Sequence, residues 1–254
     1  MFQKIDVEKT AENLIQWIKD WFEENGKGCN AVIGISGGKD SSVVAALCVK
    51  ALGQNRVLGV RLPCGEQKDS QDADLLISTL GIKSFTINIK DIIGETLLQF
   101  KNARIQPSEQ TLVNLPARIR MSVLYAFSQS HNGRVSCNCN LSEDTVGYST
   151  RYGDDVGDFA PLRKLTVEEV VAIGDYLGLP YELTHKIPAD GLQDKTDEDN
   201  LGISYEKIDM FLRNNSEGLN SDEIKLITDK YKKNHFKLLT APVFEKVVFE
   251  VVRP

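Results

Sequence analysis

The chain has 254 residues, of which 41% are hydrophobic and 26% charged, a composition that is typical of a globular protein and excludes extensive disorder. Lys and Arg number 30 and Asp and Glu number 36, so the formal net charge is −6, which argues against a protein that coats nucleic acid or an anionic membrane. The five cysteines form no C-x-x-C pair, and we find neither a secretory signal nor an apolar run of the roughly 18 residues of a membrane span. We therefore expect one cytoplasmic domain that spans residues 1–254.

Strand-like and helix-like segments alternate along the first part of the chain. Short apolar or alternating runs predict four strands, at Ala31–Ser36, Arg56–Leu62, Ser84–Ile89 and Arg134–Asn140. Apolar residues spaced three and four apart predict helices at 7–24, Ser41–Leu52, Asp69–Leu80, Asp91–Asn102, Gln110–Ser130, Thr166–Leu177, Ser204–Leu212 and Ser221–Lys232. Pro116 is predicted to start the main part of the fifth helix. The alternation predicts the α/β class, an open parallel sheet with helices on both faces.

Three segments are less clearly assigned. The first predicted helix carries Trp17 and Trp21 beside its apolar stripe, which suits either the protein's own core or a contact with another subunit. Residues 187–200 are polar and acidic with almost no periodic apolar signal, which favours a lid or binding loop, or else a solvated connector. The end of the chain, Val243–Val252, is apolar and rich in β-branched residues.

A glycine-rich loop joins the first predicted strand to the next helix. Its residues are Gly34, Ile35, Ser36, Gly37, Gly38, Lys39, Asp40 and Ser41. Glycines let the backbone approach a ligand closely, and the unpaired N–H groups at the start of the helix favour an anion, so the loop predicts a phosphate site. It matches neither the Walker A nor the G-x-G-x-x-G pattern. Asp40 suits such a site if it holds a divalent cation that bridges to phosphate, and a glycine turn with a capping Asp is the alternative.

Four segments, in the same order along the chain, resemble the motifs of one enzyme family. S-G-G-K-D-S at 36–41 resembles the pyrophosphatase loop of the adenine-nucleotide α-hydrolases. Three further segments resemble motifs of the ammonia-dependent NAD synthetases: A-R-I-R-M at 117–121, S-E at 142–143 with G-Y-S-T-R-Y-G-D at 147–154, and T-D-E-D-N-L-G-I-S-Y at 196–205. The chain therefore resembles this family, which implies a Rossmann-like adenine-nucleotide α-hydrolase fold.

The resemblance implies a carbon–nitrogen ligase. ATP would adenylate the nicotinate carboxylate of deamido-NAD with release of pyrophosphate, and ammonia would then displace AMP to give NAD. Asp40 and Glu143 would be catalytic and would share Mg²⁺, since each follows a predicted parallel strand; a carboxylate that only stabilises a helix N-terminus is the alternative for Glu143. ATP would bind to Gly34–Ser41 and Asn138. Deamido-NAD would bind to Arg118, Arg151, Asp158 and His235.

The resemblance also implies a homodimer, and the acidic charge predicts neither a nucleic-acid nor a membrane partner. Because the chain has no room for an added glutaminase domain, ammonia would come free or from a glutaminase in trans. Arg118 lies two residues before Arg120, so the two side chains are predicted to point to different faces of one helix. Arg151 stands where the family has Lys, and a lone His such as His235 is more often structural than functional.

Several positions depart from the family's pattern. Before Glu143 the family has two glycines, where this chain has Cys137 and Cys139 with a predicted packing role, and an ATP-contacting Thr, where it has Asn138. Two more ATP-contact positions and the Lys of a C-terminal His-Lys pair are also changed, at Val167, Ala189 and Phe236. Candidates to replace the lost charges are Lys164, Lys186 and Lys237. The departures keep two alternatives open: a ligase that adenylates another carboxylate, and a nucleotide-binding protein with little catalysis. The loop signature alone also leaves a tRNA-modifying enzyme, which the acidic pI and the missing C-x-x-C disfavour.

Overall fold

A four-stranded parallel sheet forms the centre of the computed structural model, which describes residues 5–65, 70–186 and 196–242. Its strands are β1 (Asn30–Gly34), β2 (Val57–Arg61), β3 (Lys83–Thr86) and β4 (Gly133–Val135). They lie in the order β3-β2-β1-β4, and every neighbouring pair is parallel, which confirms the predicted sheet. The chain crosses from one side of β1 to the other between β3 and β4, so the carboxyl ends of β1 and β4 flank a topological switch point.

Helices cover both faces of the sheet. The helices of the described part are α1 (Val7–Asn25), α2 (Lys39–Leu52), α3 (Ser70–Leu80), α4 (Lys90–Asn102), α5 (Glu109–Ser130), α6 (Leu141–Val146), α7 (Val167–Tyr176), α8 (Tyr181–Thr184), α9 (Asp197–Leu201), α10 (Tyr205–Leu212) and α11 (Ser221–Asn234). Short 3₁₀ turns occur at Gln54–Arg56, Ser216–Gly218 and His235–Leu238. Among these helices we find none with the length and apolar character that crossing a lipid bilayer requires.

Alternating residues of β1 build the two cores. Ala31 and Ile33 are fully buried in a cluster with apolar residues of α1, α2 and α7. Val32, equally buried, faces the opposite side and packs near Phe127 of α5. Full burial of such a side chain contributes about 1.5–3 kcal/mol, and burial on both faces explains why the strand reads as a continuous apolar run. A third cluster joins α6, α9, α10 and α11 beside the sheet.

Helix α1 packs on the protein's own core. Ala11, Ile18 and Phe22 are buried, and the ring of Trp21 lies 5.2 Å from that of Phe22. Trp17 is 41% exposed on the outer side. The prediction that this helix packs on the protein's own core is thus confirmed for Trp21. Trp17 instead lies at the surface.

The end of one predicted strand and the predicted role of Pro116 are wrong. The strand predicted at Arg134–Asn140 ends at Val135, because Asn140 instead caps α6 and accepts a hydrogen bond from the backbone N–H of Glu143 at 3.0 Å. Helix α5 begins at Glu109, one residue before the predicted Gln110, since Ser108 caps it and accepts from the N–H of Thr111, so Pro116 lies inside the helix and does not start its main part. A proline inside a helix removes one backbone hydrogen bond, and here burial of Pro116 accompanies that loss.

The prediction that residues 187–200 lack regular structure is wrong for the last four residues of that range. Residues 197–200 belong to α9, where Thr196 and Asp199 form a capping box, so capping starts a helix that has little apolar periodicity. The predicted lid at 187–195, the apolar end at 243–252 and the predicted helix start at Asp69 lie outside the described residues.

Candidate functional site

The segments that follow β1 and β4 meet at the carboxyl edge of the sheet. The side-chain amide of Asn138 donates to the carbonyl oxygen of Gly34 at 3.3 Å, and its own oxygen accepts from the Ser136 hydroxyl at 2.8 Å. This contact joins the glycine loop to the segment that leads into α6. Parallel α/β sheets bind ligands at such a crevice outside the carboxyl ends of the strands.

The glycine loop presents backbone N–H groups at the start of α2. Gly37 has φ +81°, a left-handed conformation that favours glycine, and Gly38 is the N-cap of α2. Within the described residues no side chain caps this helix end. The Ser42 hydroxyl donates to the Gly38 carbonyl at 2.8 Å, and Ser36 accepts from the Gly38 N–H at 3.2 Å. An uncapped helix N-terminus with adjacent hydroxyls can hold a phosphate.

Asp40 and Glu143 are brought together through Asn140. The fully buried Asn140 amide donates to Oδ1 of Asp40 at 3.0 Å, and its backbone N–H donates to Oε2 of Glu143 at 3.3 Å. Burial and, next, the charge of Asp40 raise the pKa of Glu143 well above its usual range. The two carboxylates therefore repel each other across a shared amide, an arrangement that a cation would stabilise.

The donor set around Asp40 fits Mg²⁺. Mg²⁺ prefers oxygen ligands, and it is usually held by one or two carboxylates together with water and substrate phosphates. Asp40 and Glu143 provide two carboxylates beside the candidate phosphate site. Groups of three or more His, Cys, Asp or Glu side chains that could hold a metal ion are absent from the described residues.

A buried lysine and a buried tyrosine complete this acidic centre. Lys39 is only 5% exposed, and its ammonium lies 2.9 Å from Oδ2 of Asp40 and 5.8 Å from the ring centroid of Tyr205. The Tyr205 hydroxyl is buried and finds no hydrogen-bond partner among the described residues. Burial and, next, the charges of Glu143 and Asp197 raise the pKa of this phenol. An orphaned buried hydroxyl here is a polar group to which a ligand could bind.

The predicted substrate arginines lie together at a second locus. The Arg118 guanidinium donates to the carbonyl oxygen of Arg151 at 3.2 Å, and the Arg151 guanidinium donates to that of Leu239 at 3.1 Å. The carbon at the centre of the Arg151 guanidinium lies 4.9 Å from the Tyr152 ring centroid and 5.3 Å from that of Phe236. Arg151 therefore lies within cation–π distance of two rings that are themselves more than half exposed.

Arg120, two residues after Arg118, points away from this second locus. Arg120 donates to the carbonyl oxygen of Leu62 at 3.1 Å, and burial lowers its pKa, whereas Arg118 is exposed. The prediction that these two side chains point to different faces of α5 is confirmed.

Asp158 and His235 differ in how they are held. Asp158 accepts from the backbone N–H of Val135 at 2.7 Å and from the Tyr125 hydroxyl at 3.4 Å, so the end of β4 already uses its carboxylate. His235 opens the turn after α11, its ring lies 4.8 Å from that of Tyr231, and its Nδ1 is buried without a partner in the described part of the chain.

Two of the proposed replacement lysines are engaged in other contacts. The ammonium of Lys237 donates to the carbonyl oxygens of Gly147 and Ser149, at 2.8 and 3.2 Å, near the end of α6. Lys186 forms an ion pair with Asp72 at 2.6 Å. Lys164 is exposed.

Three of the departing positions are apolar or buried in the structure. Val167 packs in the apolar cluster of α6, α9, α10 and α11, so its side chain adds no charge to the site. Cys137 and Cys139 are buried, with their thiols against the carbonyl oxygen of Asp154 at 3.8 and 3.3 Å. Ala189 lies outside the described residues.

Asn140 is the site residue that the sequence analysis did not select. It bridges the two predicted metal carboxylates, and its sequence signal is the N-x-x-E spacing of a capping box at the start of α6. Because that spacing is also common at ordinary helix starts, the signal alone does not distinguish a cap from a bridge between catalytic groups.

A buried carboxylate beside the site predicts a pH-dependent stability. Asp144 is 3% exposed, Nε of Arg163 lies 3.1 Å from its Oδ2, and burial raises its pKa to about 6. The folded protein therefore binds this proton more tightly than the unfolded chain does, so stability falls as pH rises from about 4 to about 7, by up to about 3 kcal/mol. Urea unfolding at several pH values should show that Asp144→Asn, which stays neutral, gains stability over the wild type across this range. A difference between the two proteins that does not vary with pH would contradict the prediction.

The fold and site together define a nucleotide-binding protein of the adenine-nucleotide α-hydrolase fold. The family described as NAD synthase matches residues 10–241. The NH₃-dependent NAD⁺ synthetase of Pyrococcus furiosus is 39% identical over 211 residues, which are 83% of this chain and 79% of that protein. The chain therefore belongs to the NAD synthase family, which confirms the predicted enzyme class.

Solved structures agree with this assignment. NMN synthetase from Francisella tularensis has a TM-score of 0.86 at 31% identity, over 95% of this chain and 100% of that chain. NH₃-dependent NAD synthetase from Campylobacter jejuni has a TM-score of 0.79 at 27% identity, again over 95% of this chain and 100% of that chain. Both similarities extend across nearly the whole chain.

Proposed function

We propose that the chain converts deamido-NAD to NAD with ammonia, through an acyl-adenylate formed from ATP with release of pyrophosphate and then AMP. The observation that carries the proposal is the acidic centre Asp40–Asn140–Glu143, placed beside an uncapped helix N-terminus at the carboxyl ends of β1 and β4. A carboxylate needs activation before an amine can attack it. Such activation of one anion by another requires positioning and charge neutralisation, which this centre can provide.

In this proposal the residues of the site have three separate roles: binding ATP, holding Mg²⁺ and positioning the carboxylates. Gly34–Ser41 and Asn138 bind ATP, with backbone N–H groups of the loop and of α2 directed at phosphate oxygens. Asp40 and Glu143 hold Mg²⁺, which when bound neutralises the phosphate charge that builds up during transfer. Asn140 keeps the two carboxylates at one place, and its amide donor limits how Asp40 can turn.

The substrate's own phosphate and ring are assigned to the second locus. Arg118 and Arg151 carry the positive charges there, and a guanidinium can contact a phosphate through two parallel hydrogen bonds. We also assign Asp158 and His235 to substrate binding. The oxygens of Asp158 already accept hydrogen bonds from a backbone N–H and from a tyrosine hydroxyl.

A second candidate is amidation of the mononucleotide, nicotinate mononucleotide. The specific observation in its favour is the TM-score of 0.86 with NMN synthetase, against 0.79 with an NAD synthetase of equal coverage. The second locus is compatible with a smaller anionic substrate, since Phe236 replaces a family Lys and the Lys237 ammonium is bound to backbone carbonyls. This candidate keeps the same chemistry and changes only which carboxylate is activated.

Parallel assays of the full chain distinguish the two candidates. The protein is incubated with ATP, Mg²⁺ and ammonium, and with either deamido-NAD or nicotinate mononucleotide, while AMP, pyrophosphate and the amide product are measured by chromatography. A higher kcat/KM with deamido-NAD supports the first candidate, and a higher value with the mononucleotide supports the second. Absence of AMP release with both substrates contradicts both.

We further propose a homodimer formed through an apolar surface on α4 and the start of α5. Helix α4 contains no fully buried residue, although it is rich in apolar residues. The large apolar side chains of this surface, 40–52% exposed, are Ile92, Leu98, Ile105, Leu112 and Val113. Apolar patches of this kind commonly mark interfaces, and symmetric dimers are the commonest soluble oligomers.

Charge substitutions test which surface joins two copies. Leu98→Glu combined with Ile105→Glu is expected to shift the protein to the monomer in sedimentation velocity, because each carboxylate would be buried unpaired at the interface. Trp17→Glu, on the exposed side of α1, is the matched control and should leave the dimer intact. Dissociation by the Trp17 variant alone would instead place the contact on α1, and a monomeric wild type would contradict the dimer.

Three further elements complete the proposal. Residues 1–254 form one NAD synthetase-like domain. Ammonia comes free or from a glutaminase in trans, and no nucleic acid or membrane is a partner. The location is the cytoplasm, a reducing compartment in which the five free thiols of the chain are kept as thiols.

A further inference from the structure

Lys39 occupies a place where an ammonium group is unfavourable. Its side chain is 5% exposed, and it is the first residue of α2, where the positive end of the helix dipole lies. Burial removes the water that solvates the charge, so both effects oppose a cation at this position. A buried lysine that remains here must be held by specific partners.

Carboxylates are those partners. The ammonium donates to Oδ2 of Asp40 at 2.9 Å. Burial lowers the pKa of Lys39, but the charges of Asp40, Glu143 and Asp197 and the hydrogen bond to Asp40 outweigh it, so the pKa is raised overall. Lys39 is thus the positive charge that is embedded in the acidic centre.

Both carboxylate oxygens of Asp40 therefore already contact other side chains of the protein before any ligand binds. Oδ1 accepts from the Asn140 amide at 3.0 Å and Oδ2 accepts from Lys39. A divalent cation that binds to Asp40 must approach the ammonium closely, and the two positive charges repel in a site of low dielectric. The repulsion is relieved if the ammonium gains another anionic partner, and the phosphates of ATP would arrive beside it at the N-terminus of α2.

We propose that Lys39 is a built-in counter-ion that competes with Mg²⁺ for Asp40, so that the divalent cation binds firmly only together with ATP. The lysine acts as a positioning residue that couples the two ligands, rather than as a general acid or base. Coupling of this kind is reciprocal, so ATP also binds more tightly when the cation is present. The inference rests on the proposed function, because it takes Mg²⁺ and ATP as the ligands of this centre.

The test measures cation binding and requires no turnover. Mn²⁺ is the probe, and its free concentration is followed by electron paramagnetic resonance with the full chain, with and without α,β-methylene-ATP. Lys39→Met removes the charge and keeps the length of the side chain. Lys39→Arg keeps the charge, and Lys50→Met removes an exposed charge from the same helix as the matched control.

In the wild type we expect Mn²⁺ alone to bind weakly and the nucleotide to strengthen binding strongly. In Lys39→Met, Mn²⁺ alone should bind at least about tenfold more tightly, and the gain from the nucleotide should shrink by the same factor. Lys39→Arg and Lys50→Met should both keep a strong nucleotide dependence. Unchanged or weaker binding of Mn²⁺ alone by Lys39→Met, in a folded protein, would overturn the inference.

A folding measurement covers the case in which Lys39→Met does not fold without metal. Unpaired carboxylates would then destabilise the centre, and Mn²⁺ should raise the melting temperature of Lys39→Met towards that of the wild type in a dose-dependent way. A variant that Mn²⁺ does not restore overturns the inference. If the wild type itself binds no Mn²⁺ even with the nucleotide, the proposed metal site fails, whereas normal wild-type binding with an unchanged Lys39→Met contradicts only the role of Lys39.

Discussion

Replacement of Asp40 by asparagine is expected to lower kcat/KM for ATP-dependent amide formation by about a thousandfold or more, since preorganised charge is usually the largest single contribution to transition-state stabilisation. Asparagine has the same shape, and its side-chain oxygen can still accept from Lys39, whose ammonium keeps the charges of Glu143 and Asp197 nearby, so the fold should be retained. It removes the negative charge that faces Lys39 and that would hold Mg²⁺. The variant then has neither the cation nor the alignment that the cation gives to the phosphates.

The design of this experiment separates chemistry from folding. Asp91 also lies in the first turn of a helix, α4, and is exposed, so Asp91→Asn is a matched control that should retain wild-type activity. Thermal melting of both variants checks that they are folded. Release of AMP by Asp40→Asn at more than a tenth of the wild-type rate would contradict the assigned role of Asp40.

The sheet and its loop could be predicted because local patterns determine them. A strand buried on both faces must be apolar throughout, as at Ala31–Ile33, and the glycines after it allow the turn into α2. The proximity of Asp40 and Glu143 could be predicted for the same reason, since parallel strands place their following loops at one edge. These conclusions require no knowledge of which side chains contact each other.

The remaining parts depend on contacts between distant segments. The strand predicted to reach Asn140 ends early, because residues 136 and 137 pair with Phe159 and Asn140 turns into a helix cap. The first contact joins separate segments and leaves no periodic trace in the sequence. The second is local, and its only signal is the N-x-x-E spacing that ordinary helix starts share. The contact between Arg151 and Phe236 joins residues about 85 positions apart, which propensity and spacing do not address. The same holds for the buried charge of Lys39, which is stabilised by Glu143 and Asp197 on separate segments as well as by the neighbouring Asp40.

Replacement of Gly157 by alanine is expected to lower the free energy of unfolding by about 3 kcal/mol or more. A Cβ atom at this position would lie 2.2 Å from the backbone nitrogen of Cys137 and 2.7 Å from the carbonyl carbon of Ser136. Backbone atoms cannot rotate away as a side chain can, so one of the two segments must move. The movement would break the hydrogen bond from the Cys137 N–H to the Phe159 carbonyl oxygen, which is 2.8 Å long.

The close approach at Gly157 also supports the site. Residues 157–159 run beside 135–137, and the chain then continues directly to Asn138 and Asn140, which hold the glycine loop and Asp40. Gly157→Ala should therefore lower the activity of the fraction that remains folded. The fold decrease in kcat should be larger than the fold increase in KM for ATP. Gly94→Ala is the matched control, because Gly94 lies within α4 with open space around it, and it should gain about 0.5–1 kcal/mol from helix propensity. Urea unfolding of both variants in one buffer measures the two changes in stability. A Gly157→Ala variant as stable as the wild type would contradict the close packing of Gly157 against Ser136 and Cys137.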